Sequence, residues 1–577
     1  MKPIHFLTLL CLTTFFSSCN KEANTNLNEL NLISTARVAG FDPNQASDVY
    51  VTNEMGKVYE GLYEFHPFKK PYELIPNLAE KLPQASQDGL TYTFTIKKGV
   101  LFHDDECFPD KKGREVKASD FIYSFKRIAD PKSMSKGWWL FDGRIKGLNE
   151  WREKNSKAET TNYQEDIEGL KLVDDYTFQV KLVKPYPQFL YSLAMAYTFV
   201  IAKEAVDHYG KEFLNHPVGT GPFILPVFDQ SNKIVYQRNP KFREKFFPSD
   251  DPALAKLKVP LLDTIKVHIM PESQPKWFSF NKAKVDVLEI PKDFFQQAVE
   301  SGGKLSEEMK EKGVKLVSAP MLDVTFYAFN HDDPLFKNKK LRQAMSLAYN
   351  RGQSNKLFYN DTAKVAHGAI PPGLSGYEES FKNPYVEHNI KKAKELLKEA
   401  GYPEGKGLPE ITVQTTGETV SRQMLEFFAK CMSDIGIRIK IGTNTWPELV
   451  NKVSKRQHQM YTMAWYADYP DAENFLGLLY CPNQAPGSNG SNYCNPKFDA
   501  LFKKASVLPD SPERTRLYQE MNAMVAEESP WILGFHRTRH YLHYEWLQHF
   551  HYTEFTHTLF QYLGVDKELK EKNISNF

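Results

Sequence analysis

The chain is short of several things that would have settled its class quickly. It has no strong charge of either sign: 73 Lys and Arg stand against 71 Asp and Glu in 577 residues, a formal net charge of +2. A nucleic-acid binder would show a concentrated basic excess, so nucleic acid is not an expected partner. Beyond the amino terminus no run approaches the roughly 18 apolar residues that a membrane-spanning helix needs. Gly-x-Ser-x-Gly, His-Glu-x-x-His and Gly-x-x-x-x-Gly-Lys are all absent from the sequence, which removes the usual signatures of a nucleophile elbow, a zinc protease and a phosphate cradle. The clustered acids and histidine of "HDDEC" (103–107) sit in a Lys-rich stretch that is expected to face water, so no enzyme and no cofactor are expected. There is no internal repeat and no low-complexity tract. Six cysteines are few for a chain of this length.

What is present is an ordinary globular composition, 41% hydrophobic and 25% charged, with 29 Tyr, 40 Phe and 8 Trp. The length exceeds what one core serves, so two or three domains are expected. Aromatics at this density suit broad contact surfaces and suit a large core equally. The amino terminus, "MKPIHFLTLLCLTTFFSSCN", places Lys2 before an apolar run from Ile4 to Phe16 and small residues before Cys19. That is the pattern of a secretory signal, too short to span a bilayer. Ser17 and Ser18 before Cys19 resemble a bacterial lipoprotein cleavage site, with Phe16 where Leu is usual. The resemblance implies removal of residues 1–18, lipidation of Cys19, a tether over 19–29 and a place in the cell envelope facing the periplasm or exterior. A non-lipidated signal is the competing reading.

Export puts the remaining cysteines in an oxidising compartment. Cys481 and Cys494 bracket "CPNQAPGSNGSNYC", a loop of turn residues that a disulfide would close, at about 3 kcal/mol for a loop of this size. Cys431 lies in a helical pattern and reads as a buried thiol; Cys107 has no assigned role. Stretches 88–102 and 173–182 alternate with period two and read as hairpin strands. Residues 118–130 read as a helix capped by Ser119. Residues 389–402 read as an amphipathic helix stopped by Gly401, and 512–530 as another. Strands and helices are mixed throughout, which implies an α/β protein.

Several blocks, in order, resemble the extracytoplasmic solute-binding proteins of peptide-type ABC transporters, solute-binding protein family 5. They are "FDPNQASDVYVTNEMGKVYEGL" (41–62), "PNLAEKLPQASQDGLTYTFTIKKGVLFHD" (76–104), "KASDFIYSFKRIADP" (117–131), "HPVGTGPFIL" (216–225), "PLFKNKKLRQAMSLAYNR" (334–351, with Asn350 where Asp is usual), and "WYADYPDAENF" leading to "SNYCNPKFDALF". Together they run from about residue 33 to 535. The segment 103–117 is longer than the family's turn there. The resemblance implies a bilobed periplasmic-binding-protein-like fold, class II, of the large three-domain peptide-binding type, with a hinge of two crossing segments near 318 and 537. It implies domain I over 30–73, 214–317 and 538–577, domain II over 74–213, and domain III over 318–537. It also implies a monomer that captures peptides and hands them to permease subunits served by cytoplasmic ATPases.

By the same resemblance Asp468, inside the aromatic stretch of Trp465, Tyr466 and Ala467, matches the carboxylate that pairs with a peptide's free amine. The competing reading is a helix cap or a structural pair with Arg. Ser47 and Val49 match the backbone contacts of the opposite lobe, Trp446 a pocket wall, and Trp138 and Trp139 aromatics that approach the ligand; core packing competes for each aromatic. The strand "ITVQTTGE" (411–418) carries Gln414 where dipeptide binders place an Arg for the ligand carboxylate, and Arg422 beyond it reads as structural. Longer peptides are therefore favoured over strict dipeptides. An alternative is capture of a nickel or haem-type metal complex or another small solute, prompted by His536, His540, His543, His549, His551 and His557, six of the 16 histidines. Their spacing resolves into no ligand set, so no metal site is assigned. A peptide sensor uncoupled from transport is a further alternative.

Overall fold

The computed structural model describes residues 28–46, 49–300 and 303–574. Its regular elements form a bilobed α/β fold. In the first lobe a four-stranded sheet runs in the order Glu29–Ser34, Thr264–Ile269, Lys233–Arg238, Phe223–Asp229. The first pair is parallel and the rest are antiparallel. A second sheet pairs Thr91–Thr95 with Thr177–Lys181, and the latter with Leu170–Asp174, all antiparallel. The true hairpin is thus Leu170–Asp174 with Thr177–Lys181, while Thr91–Thr95 joins it from a distance. The helix Ala118–Ala129 packs on this sheet through Phe121, stacked on Phe178 at 5.8 Å. That helix starts one residue before the expected cap: Ser119 is in its first turn. The Asp120 carboxylate instead accepts from the Lys117 backbone N–H at 2.8 Å, satisfying a donor at the helix start.

The second lobe is built on a five-stranded sheet in the order Ile439–Asn444, Ile411–Thr416, Met460–Tyr466, Asp323–Phe329, Trp531–Leu533. Helices Lys339–Ala348, Ile390–Glu399 and Thr419–Ser433 supply Leu341, Leu397, Phe428 and Cys431 to its core. Ile390–Glu399 is capped by Asn389 and ends before Gly401, whose φ of +96° is open to glycine. A three-stranded sheet, Val287–Glu289, Thr538–Tyr544 and Val314–Pro320, joins the lobes. The strand Val314–Pro320 passes through Met321 and Leu322 into Asp323–Phe329. The return passes through Arg537 into Thr538–Tyr544. The Met321 N–H donates to the Arg537 carbonyl at 2.8 Å, so the two crossings are bonded side by side.

The sequence blocks meet in space. Asp42 accepts from both terminal nitrogens of Arg127 at 2.6 and 2.8 Å, both side chains largely buried. Glu60 accepts from the Thr220 hydroxyl at 3.0 Å and from Arg243 at 2.6 Å. Gly219 and Gly221 lie so close to the Val58 carbonyl that a Cβ would fall 2.0 and 2.5 Å from its oxygen. Their missing side chains are what lets the Gly-Thr-Gly-Pro-Phe turn press on the helix end. Arg351 donates to the carbonyls of Leu533, Ser346 and Val386, and Asn350 caps the helix it precedes.

Candidate functional site

Asp468 follows the strand Met460–Tyr466 directly, and the chain leaves the sheet there. The Ala467 N–H donates to the Leu322 carbonyl at 2.8 Å, which ties the segment to the hinge crossing. One residue organises the turn. Asn474 donates from its amide nitrogen to the Asp468 carboxylate at 2.8 Å, and its oxygen accepts from the Asp468 N–H at 3.0 Å and from the Trp465 indole at 2.9 Å. Asp468 keeps some solvent access, yet the surrounding atoms desolvate its carboxyl and push it up to about 6, with the Asn474 bond as a partial offset. A carboxylate with one neutral partner in a desolvated pocket is short of positive charge.

The structural Arg belongs to a neighbour. Asp471 is clamped by Arg514 at 2.8 and 3.1 Å and by the Tyr518 hydroxyl at 2.9 Å. Glu473 is pushed up to about 7 by burial and by Asp471. It accepts from the Tyr469 hydroxyl at 3.2 Å and from the Tyr186 hydroxyl at 3.3 Å. Tyr186 comes from the first lobe, where the Arg144 guanidinium lies 4.1 Å from its ring centroid. Tyr191, from the same segment, stacks on Tyr469 at 6.1 Å. Contacts thus bridge the lobes beside Asp468. Asn474, Glu473, Tyr186 and Tyr191 were missed as site residues. Only Asn474 and Glu473 carried a signal, as polar members of the same stretch.

Trp465, Tyr466, Ala467 and Asp468 come together because they are contiguous. Trp446 opens the helix Trp446–Ser454, capped by Thr445 and Glu448, and is 56% exposed. Trp138 is half-buried under Arg152, whose guanidinium is 4.7 Å from its ring, and Trp139 is 37% exposed. Val49 opens the helix Val49–Val58, with its side chain outside the described residues. Ser47, Cys19 and residues 1–18 lie outside them altogether. Gln414 is buried, its oxygen accepting from the Asn444 amide at 2.9 Å, so it serves the sheet. Arg422 is exposed, 3.6 Å from Glu426.

Cys481 and Cys494 are joined as a disulfide, and Cys431 is a buried thiol. Cys107 is a half-buried free thiol, pushed up to about 12 by burial and by Asp105. The expectation that 103–107 faces water is wrong at His103, which is buried with its Nε2 2.9 Å from the Gly221 carbonyl. Asp104 pairs with Lys241 nearby. The six C-terminal histidines go separate ways. His536 is 2.6 Å from the Asp323 carbonyl, His540 is 2.8 Å from Ser318, and His543 is 3.0 Å from the Tyr544 carbonyl. His549 packs on Phe247 and His551 on Phe68, and His557 is 3.3 Å from Asn53. Among the described residues the one group of three potential metal ligands is Cys481, Cys494 and Asp499. Its two sulfurs are already bonded to each other. Among the described residues no helix is long and apolar enough to cross a membrane.

Residues 73–487 match the family described as bacterial extracellular solute-binding proteins, family 5 (middle region). The chain is 30% identical over 474 residues to the dipeptide-binding protein of Escherichia coli K12, covering 81% of each. It is 27% identical over 558 residues to heme-binding protein A of Haemophilus influenzae, covering 92% of this chain and 93% of that one. Among solved structures it resembles the ABC transporter-associated periplasmic binding protein DppA of Helicobacter pylori in complex with the peptide STSA. The TM-score is 0.74 at 25% identity, covering 93% of this chain and 98% of the other.

Proposed function

The chain belongs to the family 5 bacterial extracellular solute-binding proteins, and from that premise we propose that it captures peptides longer than strict dipeptides between its lobes. It delivers them to the permease of an ABC transporter. The family is one of solute binding and not of catalysis, and relatives named for dipeptide binding support a peptide cargo. The observation that carries the reading is Asp468, a desolvated carboxylate whose hydrogen-bond partner is the neutral Asn474 amide. An incoming ammonium would supply the missing charge and form a charge-assisted hydrogen bond. The lobes close over the ligand because only the closed arrangement contacts it from both sides. In this reading domain I comprises 30–73, 214–317 and 538–577, domain II 74–213 and domain III 318–537. Cys19 carries the lipid anchor, and the protein acts as a monomer.

Native mass spectrometry of the purified protein, followed by denaturation and sequencing of released ligand, tests this. A set of short peptides supports it. Release of a haem, a metal complex or one defined small solute would favour the reading suggested by the haem-binding relative and refute an amine clamp at Asp468.

A further inference from the structure

The hinge carries two arginines whose donors the lobes satisfy only in part. Arg537, Arg539 and Tyr541 alternate along the returning crossing and share one face of it. On the opposite face His540 meets Ser318. Both guanidinium groups turn toward Tyr466, their central carbons 4.9 and 5.9 Å from its ring centroid. Tyr466 is 44% exposed and stands two residues before Asp468.

The donors of this pair exceed their partners. Arg537 is anchored by the buried Asp323, which accepts from its backbone N–H at 2.9 Å and from Nε. Its Nη2 is buried with no hydrogen-bond partner among the described residues. Arg539 gives one hydrogen bond, from Nη1 to the Tyr541 hydroxyl at 3.3 Å, and its nearest carboxylate, the half-exposed Glu289, is 3.7 Å from Nε. Glu554 also sits nearby, but both its oxygens accept from the Leu322 N–H at 2.8 and 3.0 Å, and burial pushes its carboxyl up to about 7. An orphaned guanidinium donor inside a protein is costly and calls for an anion.

We propose that Arg537 and Arg539 form a carboxylate-binding site at the hinge that receives the free C-terminus of a short peptide whose amine is held at Asp468. The inference rests on the peptide reading above and sharpens it. It supplies the positive charge that the neutral Gln414 strand does not, from a different element. It also sets a length. Asp468 is two residue steps past Tyr466, about 7 Å along an extended chain, and the guanidinium carbons lie 4.9 and 5.9 Å from the Tyr466 ring. An amine-to-carboxylate span on the order of 10 Å corresponds to about three extended residues. A planar guanidinium fork suits a carboxylate better than a point charge does.

The test is isothermal titration of the wild type, Arg539→Gln, Arg539→Lys and Asp468→Asn with trialanine, its C-terminal amide and its N-acetyl form. Arg539 is chosen because Arg537 anchors Asp323. The wild type should bind the free acid at least about tenfold more tightly than the amide, the scale of a lost hydrogen bond to a charged group. Arg539→Gln should bring acid and amide together, and Arg539→Lys should keep part of the gap. A gap seen instead between Ala-Glu-Ala amide and Ala-Gln-Ala amide, and lost in Arg539→Gln, would support the same site reading a side-chain carboxylate. Equal binding of all acids and amides by the wild type, or an acid–amide gap unchanged in Arg539→Gln, would overturn the inference and leave the peptide reading standing. Failure of every peptide to bind would sink both.

Discussion

Asp468→Asn separates a binding carboxylate from a structural one, because the two roles predict opposite effects on the empty protein. Burial raises the Asp468 carboxyl from 3.8 to about 6. A raised carboxyl means that the folded protein holds a proton the unfolded chain has already lost, so stability falls as pH rises from about 4 to about 6. That rise corresponds to at most about 3 kcal/mol. Above pH 6 the asparagine, which needs no proton, should therefore stabilise the unliganded protein by about 1–3 kcal/mol. Below about pH 4 the two proteins should be equally stable. Peptide affinity should move the other way, falling by the 2–5 kcal/mol typical of removing one partner of a buried charge pair. Wild-type affinity should decline as pH falls below about 6, where Asp468 takes up a proton. It should decline again above about 8, where the ligand amine loses its own. The variant should lose the acidic limb only. Urea unfolding at pH 4 and 7.5, with calorimetric titration across pH, measures all of this. A variant that is less stable at pH 7.5 and binds free-amine peptide as the wild type does would refute the argument.

Other outcomes follow from contacts away from the carboxylate. Tyr186→Phe removes the inter-lobe bond to Glu473 and should weaken ligand binding several-fold, about 1 kcal/mol, with the unfolding midpoint nearly unchanged; an unchanged dissociation rate would count against a closing role. Gly219→Ala puts a Cβ 2.0 Å from the Val58 carbonyl and should cost 2 kcal/mol or more in urea unfolding, on the order of other overpacked sites. Replacing Cys481 and Cys494 by Ser should lower stability by about 3 kcal/mol, while peptide titration by the folded double variant gives the wild-type affinity.

The architecture was legible where local chemistry decides it. The apolar stripe of 389–402 and Gly401 after it mark a helix that the fold contains. The order of the family blocks brought the bilobed α/β fold with it. The 88–102 and 173–182 strands were legible as strands but not as partners, because Thr91–Thr95 pairs with Thr177–Lys181 across more than eighty residues of chain, while the hairpin mate Leu170–Asp174 is exposed along most of its length and has little alternation to read. Ser119 looked like a cap by type, yet the Asp120 carboxylate took that role one residue on. His103 looked solvated by composition, and a carbonyl brought from Gly221 buried it. Each miss turns on a partner more than eighty residues away or on a competition between adjacent side chains, neither of which a window of sequence contains.

The stretch from Trp465 to Asn474 shows where that boundary falls. It holds three acids in six residues, Asp468, Asp471 and Glu473, identical in charge and similar in flanks. The fold gives each a separate fate. Arg514, from the helix Pro512–Glu528, clamps Asp471 with two hydrogen bonds. Tyr186, from the other lobe, and Tyr469 give Glu473 hydrogen bonds, and burial with Asp471 alongside raises it toward neutrality. Asp468 receives the Asn474 amide, which fixes its direction without cancelling its charge. The aromatic surround raises the cost of a bare charge for all three. Only at Asp468 does the protein leave that cost unmet by an internal cation or a tyrosine hydroxyl. An unpaired carboxylate of this kind is tolerable in a folded chain if something outside the chain supplies the charge. A second group with donors to spare faces Tyr466, two residues before Asp468: the guanidinium groups at the hinge. The negative and positive ends of one zwitterionic ligand would then answer two deficits that the chain does not answer itself.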